Sequence, residues 1–96
     1  MVVLVKPQFE AGKALVSRGR GVVRDAGAWA GALRSVADAF VAAGAGVVGA
    51  MASPLLGARG NTEFFLHVCP GEGDAAAMVN FEEVAVSALA SAGAPR

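Results

Sequence analysis

The sequence predicts a small α/β domain with the element order β-α-β-β-α, arranged as half of a doubly wound sheet. The chain begins with four apolar residues, Val2–Val5, which are typical of a strand buried on both faces, as in a parallel sheet. A helix of the length that a crossover connection needs comes next, and a second strand follows it. Because the chain has 96 residues, it has room for one such domain.

The first strand is predicted to end at Lys6, because Pro7 cannot donate a hydrogen bond to a sheet ladder. The stretch 12–24 contains three glycines and no helical stripe, so it is predicted to be a loop. Its basic residues are Lys13, Arg18, Arg20 and Arg24. The net charge of the chain is zero, but residues 1–24 hold five basic residues against one acidic residue. This segment is either a phosphate-attracting surface or an ordinary solvated loop.

The first long helix is predicted to begin after Asp25, a favourable N-cap residue, and to end at Gly44, which suits a C-cap. Apolar residues recur between these two positions at helical spacing and define one buried face. They are Trp29, Leu33, Val36, Ala37, Phe40 and Val41. The helix is a crossover, so the first two strands are predicted to be parallel and joined with a right-handed connection.

The second strand is predicted at 47–52 ("VVGAMA"), and the third at 63–68 ("EFFLHV"), which has strong β-propensity. The residues between them, 53–61 ("SPLLGARGN"), are predicted to form a loop rich in turn residues. Asn80 and Glu83 then fit a capping box, which predicts a last amphipathic helix. Its apolar face is predicted to include Val84, Ala88 and Leu89.

Several classes of site are not predicted. The chain has one cysteine, Cys69, so it has no internal disulfide. His67 lies on the same predicted strand face as Cys69, but no further ligand has metal-binding spacing, and ordinary strand residues are the preferred interpretation. The sequence contains no apolar run of membrane-spanning length and no signal peptide, so we expect a cytoplasmic protein without a membrane partner.

One pair of residues suggests chemistry. Ligands of such sheets bind beyond the carboxyl ends of the strands, and Lys6 lies at that edge. If the third strand is antiparallel and adjacent to the first, Glu63 emerges at the same edge, within ion-pair reach of Lys6. A lysine beside a carboxylate is either an acid/base element or a structural salt bridge, and spacing alone leaves both readings open.

Three stretches carry a family resemblance: "LVKPQFEAGK", "GVVRD" and "SPLLGARGNTEFFL". In this order they resemble the C-terminal half of the hemolysin-A-type (TlyA) family of FtsJ-like rRNA 2′-O-ribose methyltransferases, which use S-adenosylmethionine. The resemblance implies that residues 1–96 form the C-terminal half of a Rossmann-like methyltransferase domain whose last strand is antiparallel. Residues 1–68 would then be the matching core, and residues 69–96 a connector and the C-terminal helix.

The resemblance also implies roles for individual residues. The family uses a Lys-Asp-Lys-Glu tetrad, in which Lys6 would be the second lysine and Glu63 the glutamate. Lys6 would take or polarise the proton of the ribose 2′-hydroxyl, and Glu63 would orient the lysine or its target. Ribosomal RNA would be the partner, which strengthens the case that the basic residues contact RNA, namely Lys13, Arg18, Arg20 and Arg24.

The family's cofactor loop, its first lysine and its aspartate would all lie before Met1. We therefore expect no cofactor-binding residue in this chain, and neither appreciable binding of S-adenosylmethionine nor methylation by the chain in isolation. The alternative is a non-catalytic RNA-binding or protein-interaction module derived from such an enzyme. In either case Val2–Val5 would be an apolar edge strand, which predicts poor stability or self-association through that edge.

Overall fold

The computed structural model of the chain describes residues 1–10, 25–56, 60–71 and 79–92. These ranges contain three strands and three helices, which are β1 (Val2–Val5), α1 (Pro7–Glu10), α2 (Ala26–Ala42), β2 (Ala45–Leu56), β3 (Thr62–Pro70) and α3 (Phe81–Ala92). The loop predicted at 12–24 lies outside the described residues.

The three strands form one sheet in the order β1-β3-β2. Both outer strands run antiparallel to β3 and are therefore parallel to each other, which confirms the predicted direction of the first two strands. The third strand is antiparallel and lies beside the first, as expected. β1 and β2 are not neighbours, however, because β3 occupies the position between them.

The core lies between the sheet and the two long helices. Along β3, Phe64, Leu66 and Val68 are fully buried and alternate with residues that are more accessible, so one face of the strand contacts the helices. The edge of the Trp29 ring on α2 meets the Phe64 ring, with centroids 5.5 Å apart. The other buried hydrophobic residues that belong to this core include Val5, Leu33, Ala37, Val47, Phe81, Ala85 and Ala88.

The other face of the sheet carries exposed apolar side chains. Val2 is 67 % exposed, Leu4 is 45 % exposed and Met51 is 56 % exposed, while Phe65 is half-buried. Burial in this small domain is therefore one-sided, with a packed face under the helices and an apolar face that remains accessible to solvent. The prediction that Val2–Val5 is buried on both faces, as in a parallel sheet, is wrong, because β1 pairs antiparallel with β3 and exposes Val2 and Leu4.

Both predicted helix starts are confirmed by their caps. The Asp25 side chain accepts a hydrogen bond from the Ala28 amide at 2.9 Å, and the Asn80 side chain accepts one from the Glu83 amide at 3.0 Å. Gly44 follows the C-cap residue of α2 with a φ of +89°, a conformation that glycine adopts without steric cost. Leu89 lies less deeply than predicted, because 38 % of it is exposed.

The two long helices are also tied by charge. The Arg34 guanidinium on α2 lies 2.6 Å from the Glu82 carboxylate on α3. The backbone amide of Glu82 itself, and then the Arg34 side chain, hold the pKa of the Glu82 carboxyl below its usual value of 4.5. Both side chains are at least half exposed, so this pair orients the helices more than it stabilises the fold.

The loop predicted at 53–61 is wrong in its first part, because β2 continues to Leu56. Pro54 is tolerated there because β2 is an edge strand, and its pairing with β3 is irregular between Ala52 and Leu56. Among the helices that the structure describes, none has the length and apolar character needed to cross a membrane.

Candidate functional site

The end of β1 and the start of β3 meet at one edge of the sheet, and we call this edge the rim, with Lys6–Gln8 on one side and Asn61–Glu63 on the other. Val5 pairs with Phe64, so Lys6 and Glu63 are the next residues in register. The structure thus brings the two predicted site residues to the same end of adjacent strands. The condition that Lys6 and Glu63 lie at the same end of neighbouring strands is therefore met.

A single helical turn fixes the backbone just after Lys6. Pro7, which is buried, occupies the first position of α1, where its missing N–H leaves no bond unmade. The Phe9 amide donates to the Lys6 carbonyl oxygen at 3.0 Å, so the chain folds back over the lysine. The Lys6 ammonium nitrogen lies 5.8 Å from the centroid of the Phe9 ring, a cation–π contact on an exposed part of the rim.

Lys6 and Glu63 do not form a salt bridge. Within the described residues the recorded ion pair is the one between Arg34 and Glu82. Glu63 instead accepts a long hydrogen bond of 3.5 Å from the Gln8 side-chain nitrogen to its Oε2 atom. The two side chains therefore share one end of the sheet without contacting each other as an ion pair.

Polar burial is concentrated at the rim. Among the described residues the buried polar side chains are Gln8, Asn61 and Thr62, which are 8 %, 2 % and 9 % exposed. Each lies within two positions of Lys6 or Glu63. In the described residues, the buried side-chain atom that lacks a hydrogen-bond partner is Gln8 Oε1, so the burial of Gln8 is the costly feature of the rim.

Sequence reasoning missed these three residues. Asn61 was placed in a turn, Thr62 just before a strand, and Gln8 in a polar segment after a strand. Gln8 lies on α1, which contacts α2, and such a tertiary contact is not visible in a local pattern of residues. The one local signal was Pro7, because proline favours the first position of a helix and so indicates the start of α1.

The predicted RNA-contact residues Lys13, Arg18, Arg20 and Arg24 all lie outside the described residues. The imidazole of His67 lies 3.7 Å from the Cys69 sulfur on an accessible part of β3. No set of three or more potential metal-ligating side chains is found in the described part of the chain. This pair is therefore a contact between strand neighbours and is given no further role.

A groove of about 660 Å³ lies between the outer strand β2 and helix α3, and it reaches the rim at Thr62. Its walls combine apolar side chains with polar ones that include Ser53, Asn80, Glu83 and Ser87. Neither Lys6 nor Glu63 lines this groove, so the two predicted catalytic residues lie on the more open part of the rim.

The sequence of the chain is similar to part of two longer bacterial proteins. It is 42 % identical over 82 residues to "Putative rRNA methyltransferase YqxC" of Bacillus subtilis (strain 168), a match over 84 % of this chain and 29 % of that protein. It is 48 % identical over 66 residues to "16S/23S rRNA (cytidine-2'-O)-methyltransferase TlyA" of Mycobacterium tuberculosis, over 69 % and 24 % of the two chains. This chain is a relative of the TlyA-type proteins.

Solved structures agree with this TlyA-type relationship. The chain superimposes on a protein described as a putative hemolysin from Lactococcus lactis with a TM-score of 0.80 and 35 % identity, over 91 % of this chain and 41 % of that one. For one from Streptococcus thermophilus the TM-score is 0.77 with 36 % identity, over 91 % and 31 %. No protein-family model matches the chain.

These comparisons confirm the resemblance to TlyA-type proteins and the α/β fold of the described residues. They also give the scale of the match, because the matched region covers 24 to 29 % of the length of the curated relatives. The three-stranded sheet is thus similar to one portion of a larger TlyA-type molecule.

Proposed function

We propose that this chain is the catalytic-lysine part of an rRNA 2′-O-ribose methyltransferase. The observation that carries the proposal is the register of the rim, which sets Lys6 opposite Glu63 without joining them in a salt bridge. The collection of buried polar side chains around this pair supports it, as does the similarity to two proteins named rRNA methyltransferases.

In this proposal the Lys6 amine acts on the 2′-hydroxyl of a ribose. The amine accepts the hydroxyl proton as the ribose oxygen forms its bond to the methyl carbon and the bond from that carbon to the donor's sulfur breaks, so the proton goes to the amine and the sulfur leaves with the bonding electrons. Glu63 orients the hydroxyl or the lysine from the facing strand. A lysine suits this role because its charge state responds readily to its surroundings, which an arginine's does not.

The methyl donor of the complete enzyme would be S-adenosylmethionine, which supplies the methyl group when it is bound. The rim does not fit such a cofactor by itself. After β1 the chain continues with Lys6 and the buried Pro7, where a cofactor-binding turn needs glycines that leave the backbone open. We therefore assign the cofactor site to the remainder of the complete enzyme and expect the isolated chain to bind no cofactor and transfer no methyl group.

Ribosomal RNA is the proposed partner, and a cytoplasmic location follows from that partner. The basic residues Lys13, Arg18, Arg20 and Arg24 follow α1 in the sequence and would contact RNA phosphates. Replacing Arg18 and Arg20 together with alanine should weaken RNA binding and reduce the dependence of the affinity on salt, by a slope of about one to two. An unchanged slope would remove these residues from the interface.

The decisive experiment uses a chimera in which this chain replaces the matching segment of the Mycobacterium tuberculosis relative. Methyl transfer from labelled S-adenosylmethionine to ribosomal subunits is then measured. Lys6→Ala and Lys6→Arg should each lower the rate about 100-fold or more, because arginine keeps the charge but does not accept a proton. Glu63→Gln should also lower the rate, and the matched variant Glu83→Gln on α3 should not.

A non-catalytic module is the second candidate, and the exposed edge of β1 favours it. In that case the Lys6 variants would transfer methyl groups as fast as the unmodified chimera, while RNA or protein binding by the chain would persist. Equal rates for the two Lys6 variants and the unmodified chimera would therefore contradict catalysis and support the module.

We also propose that the isolated chain associates with a second copy through β1. Met1 and Val68 exchange backbone hydrogen bonds of 3.0 and 2.8 Å, so alternate residues of β1 direct their backbone groups at β3. Val2 and Leu4 consequently present their N–H and C=O groups to the outside. A second β1 in the antiparallel direction, centred on Val3, would pair Val2 of each copy with Leu4 of the other.

A further inference from the structure

Gln8 is the most unusual polar residue of the rim. It lies on α1, two residues after Lys6, and only 8 % of it is exposed. Glutamine is mostly an exposed residue in folded proteins, so its burial beside a candidate catalytic pair calls for a physical reason. Its role was not anticipated from the sequence, which showed only a polar segment after the first strand.

The nitrogen and the oxygen of the Gln8 carboxamide differ in their hydrogen bonding. Its nitrogen donates to Glu63 Oε2 at 3.5 Å. Its oxygen is buried and has no hydrogen-bond partner among the described residues. Exchanging the two atoms would bring the amide oxygen against the carboxylate, where both groups accept, so the orientation with the nitrogen towards Glu63 is the favourable one.

This arrangement is a poor way to stabilise a fold. A buried acceptor without a donor is costly, and a long hydrogen bond to a partly accessible carboxylate returns little. An apolar residue of the same length would fill the space without leaving an acceptor unpaired. Packing therefore does not account for Gln8, whereas its contact with Glu63 does.

We propose that Gln8 is a positioning residue that holds the Glu63 carboxylate and prevents it from closing onto Lys6. The catalytic meaning of this inference rests on the proposed function. Lys6 and Gln8 both carry donors on the same side of the rim, and the structure pairs the Glu63 carboxylate with Gln8 and not with Lys6. With Gln8 donating to Oε2, the carboxylate stays on its own side of the rim while the Lys6 nitrogen lies near the Phe9 ring.

The first test uses the 96-residue chain itself and requires no activity. Gln8→Met keeps the length of the side chain but removes both the donor and the unpaired acceptor. We expect its thermal midpoint to stay within about 2 °C of the original chain or to rise. In the same variant the NMR three-bond couplings of the Glu63 side chain should become averaged over rotamers, and those of the control residue Glu83 should not change.

A lower midpoint with unchanged Glu63 couplings would show that Gln8 is an ordinary packing residue and would overturn the proposal. Unchanged couplings with an unchanged midpoint would overturn it as well. Glu63→Ala supplies a reciprocal test that does not depend on the folding of the methionine variant. It should accelerate hydrogen exchange of the Gln8 carboxamide protons about 10-fold or more, and an unaltered exchange rate would again overturn the contact.

The second test asks about catalysis, in the chimera described above. Gln8→Met should lower kcat about 10- to 100-fold with little change in KM for the RNA, because it misplaces a group without removing a substrate contact. The pH profile of kcat should also change, because the variant removes the group that contacts the Glu63 carboxylate. In a Gln8→Met, Lys6→Ala double variant, the loss of kcat should be no larger than the loss in Lys6→Ala alone.

The two proposals can fail separately. If the unmodified chimera transfers no methyl group but the NMR results hold, the positioning contact stands and the methyltransferase function is refuted. If the chimera is active and Gln8→Met leaves kcat and its pH profile unchanged, the function stands and Gln8 has no positioning role in it.

Discussion

Phe64 is the residue whose replacement tests the described packing most directly. It is fully buried on β3, pairs with Val5 at the last position before the rim, and makes an edge-type contact with the Trp29 ring, with the ring centroids 5.5 Å apart. Phe64→Ala removes the whole ring from the core and leaves a cavity beneath α2. Truncations of this kind reduce the free energy of unfolding by about 3 to 5 kcal/mol.

That loss is large for a chain of this size. A domain of 96 residues has a total stability of about 5 to 14 kcal/mol. For such a domain 1 kcal/mol corresponds to about 4 to 8 °C in Tm, so Phe64→Ala should lower Tm by about 12 °C or more. Phe64→Leu, which keeps much of the apolar volume, should cost about 1 to 2 kcal/mol and gives a measurable value if the alanine variant is unfolded.

Phe9→Ala is the matched control, because it makes the same change on the same edge of the sheet at a side chain that is 73 % exposed. It loses only the contact with Lys6 and should change the free energy of unfolding by about 0.5 kcal/mol. The assay is urea unfolding monitored by circular dichroism. The slope of the free energy of unfolding against urea concentration is compared between variants, to confirm that each variant unfolds as the original chain does. Equal losses for the Phe64 and Phe9 variants would show that α2 does not cover the sheet.

Three further predictions concern other parts of the molecule. The pKa of Glu82 is lowered in the folded chain, so its contribution to stability is present above the ordinary value of 4.5 and is lost as pH falls below the folded value; urea midpoints for the original chain and Glu82→Gln should therefore differ at about pH 6 and converge at about pH 3. A difference in urea midpoint that stayed constant over this range would show that protonation of Glu82 does not weaken its contact with Arg34. Asn80→Ala should lower the free energy of unfolding by about 1 kcal/mol because the first turn of α3 loses its cap, and Asn80→Ser should restore most of it in the same unfolding assay. Leu4→Lys should abolish concentration-dependent dimers in sedimentation velocity, because a charge on the outer strand opposes pairing, whereas Leu55→Lys on β2, at a side chain that is 76 % exposed, should leave them; monomers of the original chain at all concentrations would exclude the edge pairing.

Local signals in the sequence predicted the elements that depend on local physics. The run Val2–Val5, the N-caps at Asp25 and Asn80, and the apolar stripe that includes Trp29 each reflect hydrogen bonding or burial within a few residues. Where the outcome depended on partners far along the chain, prediction was weaker. Pro54 was interpreted as a loop residue, although an edge strand with irregular pairing accommodates it.

The candidate site divides in the same way. The placement of Lys6 opposite Glu63 followed from strand directions and from family resemblance, and the register agrees with it. What could not be predicted was that Glu63 contacts Gln8 rather than Lys6, because the position of Gln8 is set by tertiary contacts of α1, such as the one with α2. A pattern of residue types indicates which groups share an edge, but not which of them touch.

The central place of β3 has a consequence for synthesis on the ribosome. β1 precedes its partner β3, which begins at Thr62, so about sixty residues must be added after β1 before these two strands can pair. At translation rates of about 5 to 20 residues per second, the apolar run Val2–Val5 waits for about 3 to 12 seconds without its sheet neighbour. During that interval the apolar segment Val2–Val5 is part of the nascent chain without its β3 partner. We expect chaperones that hold emerging polypeptides to bind this segment.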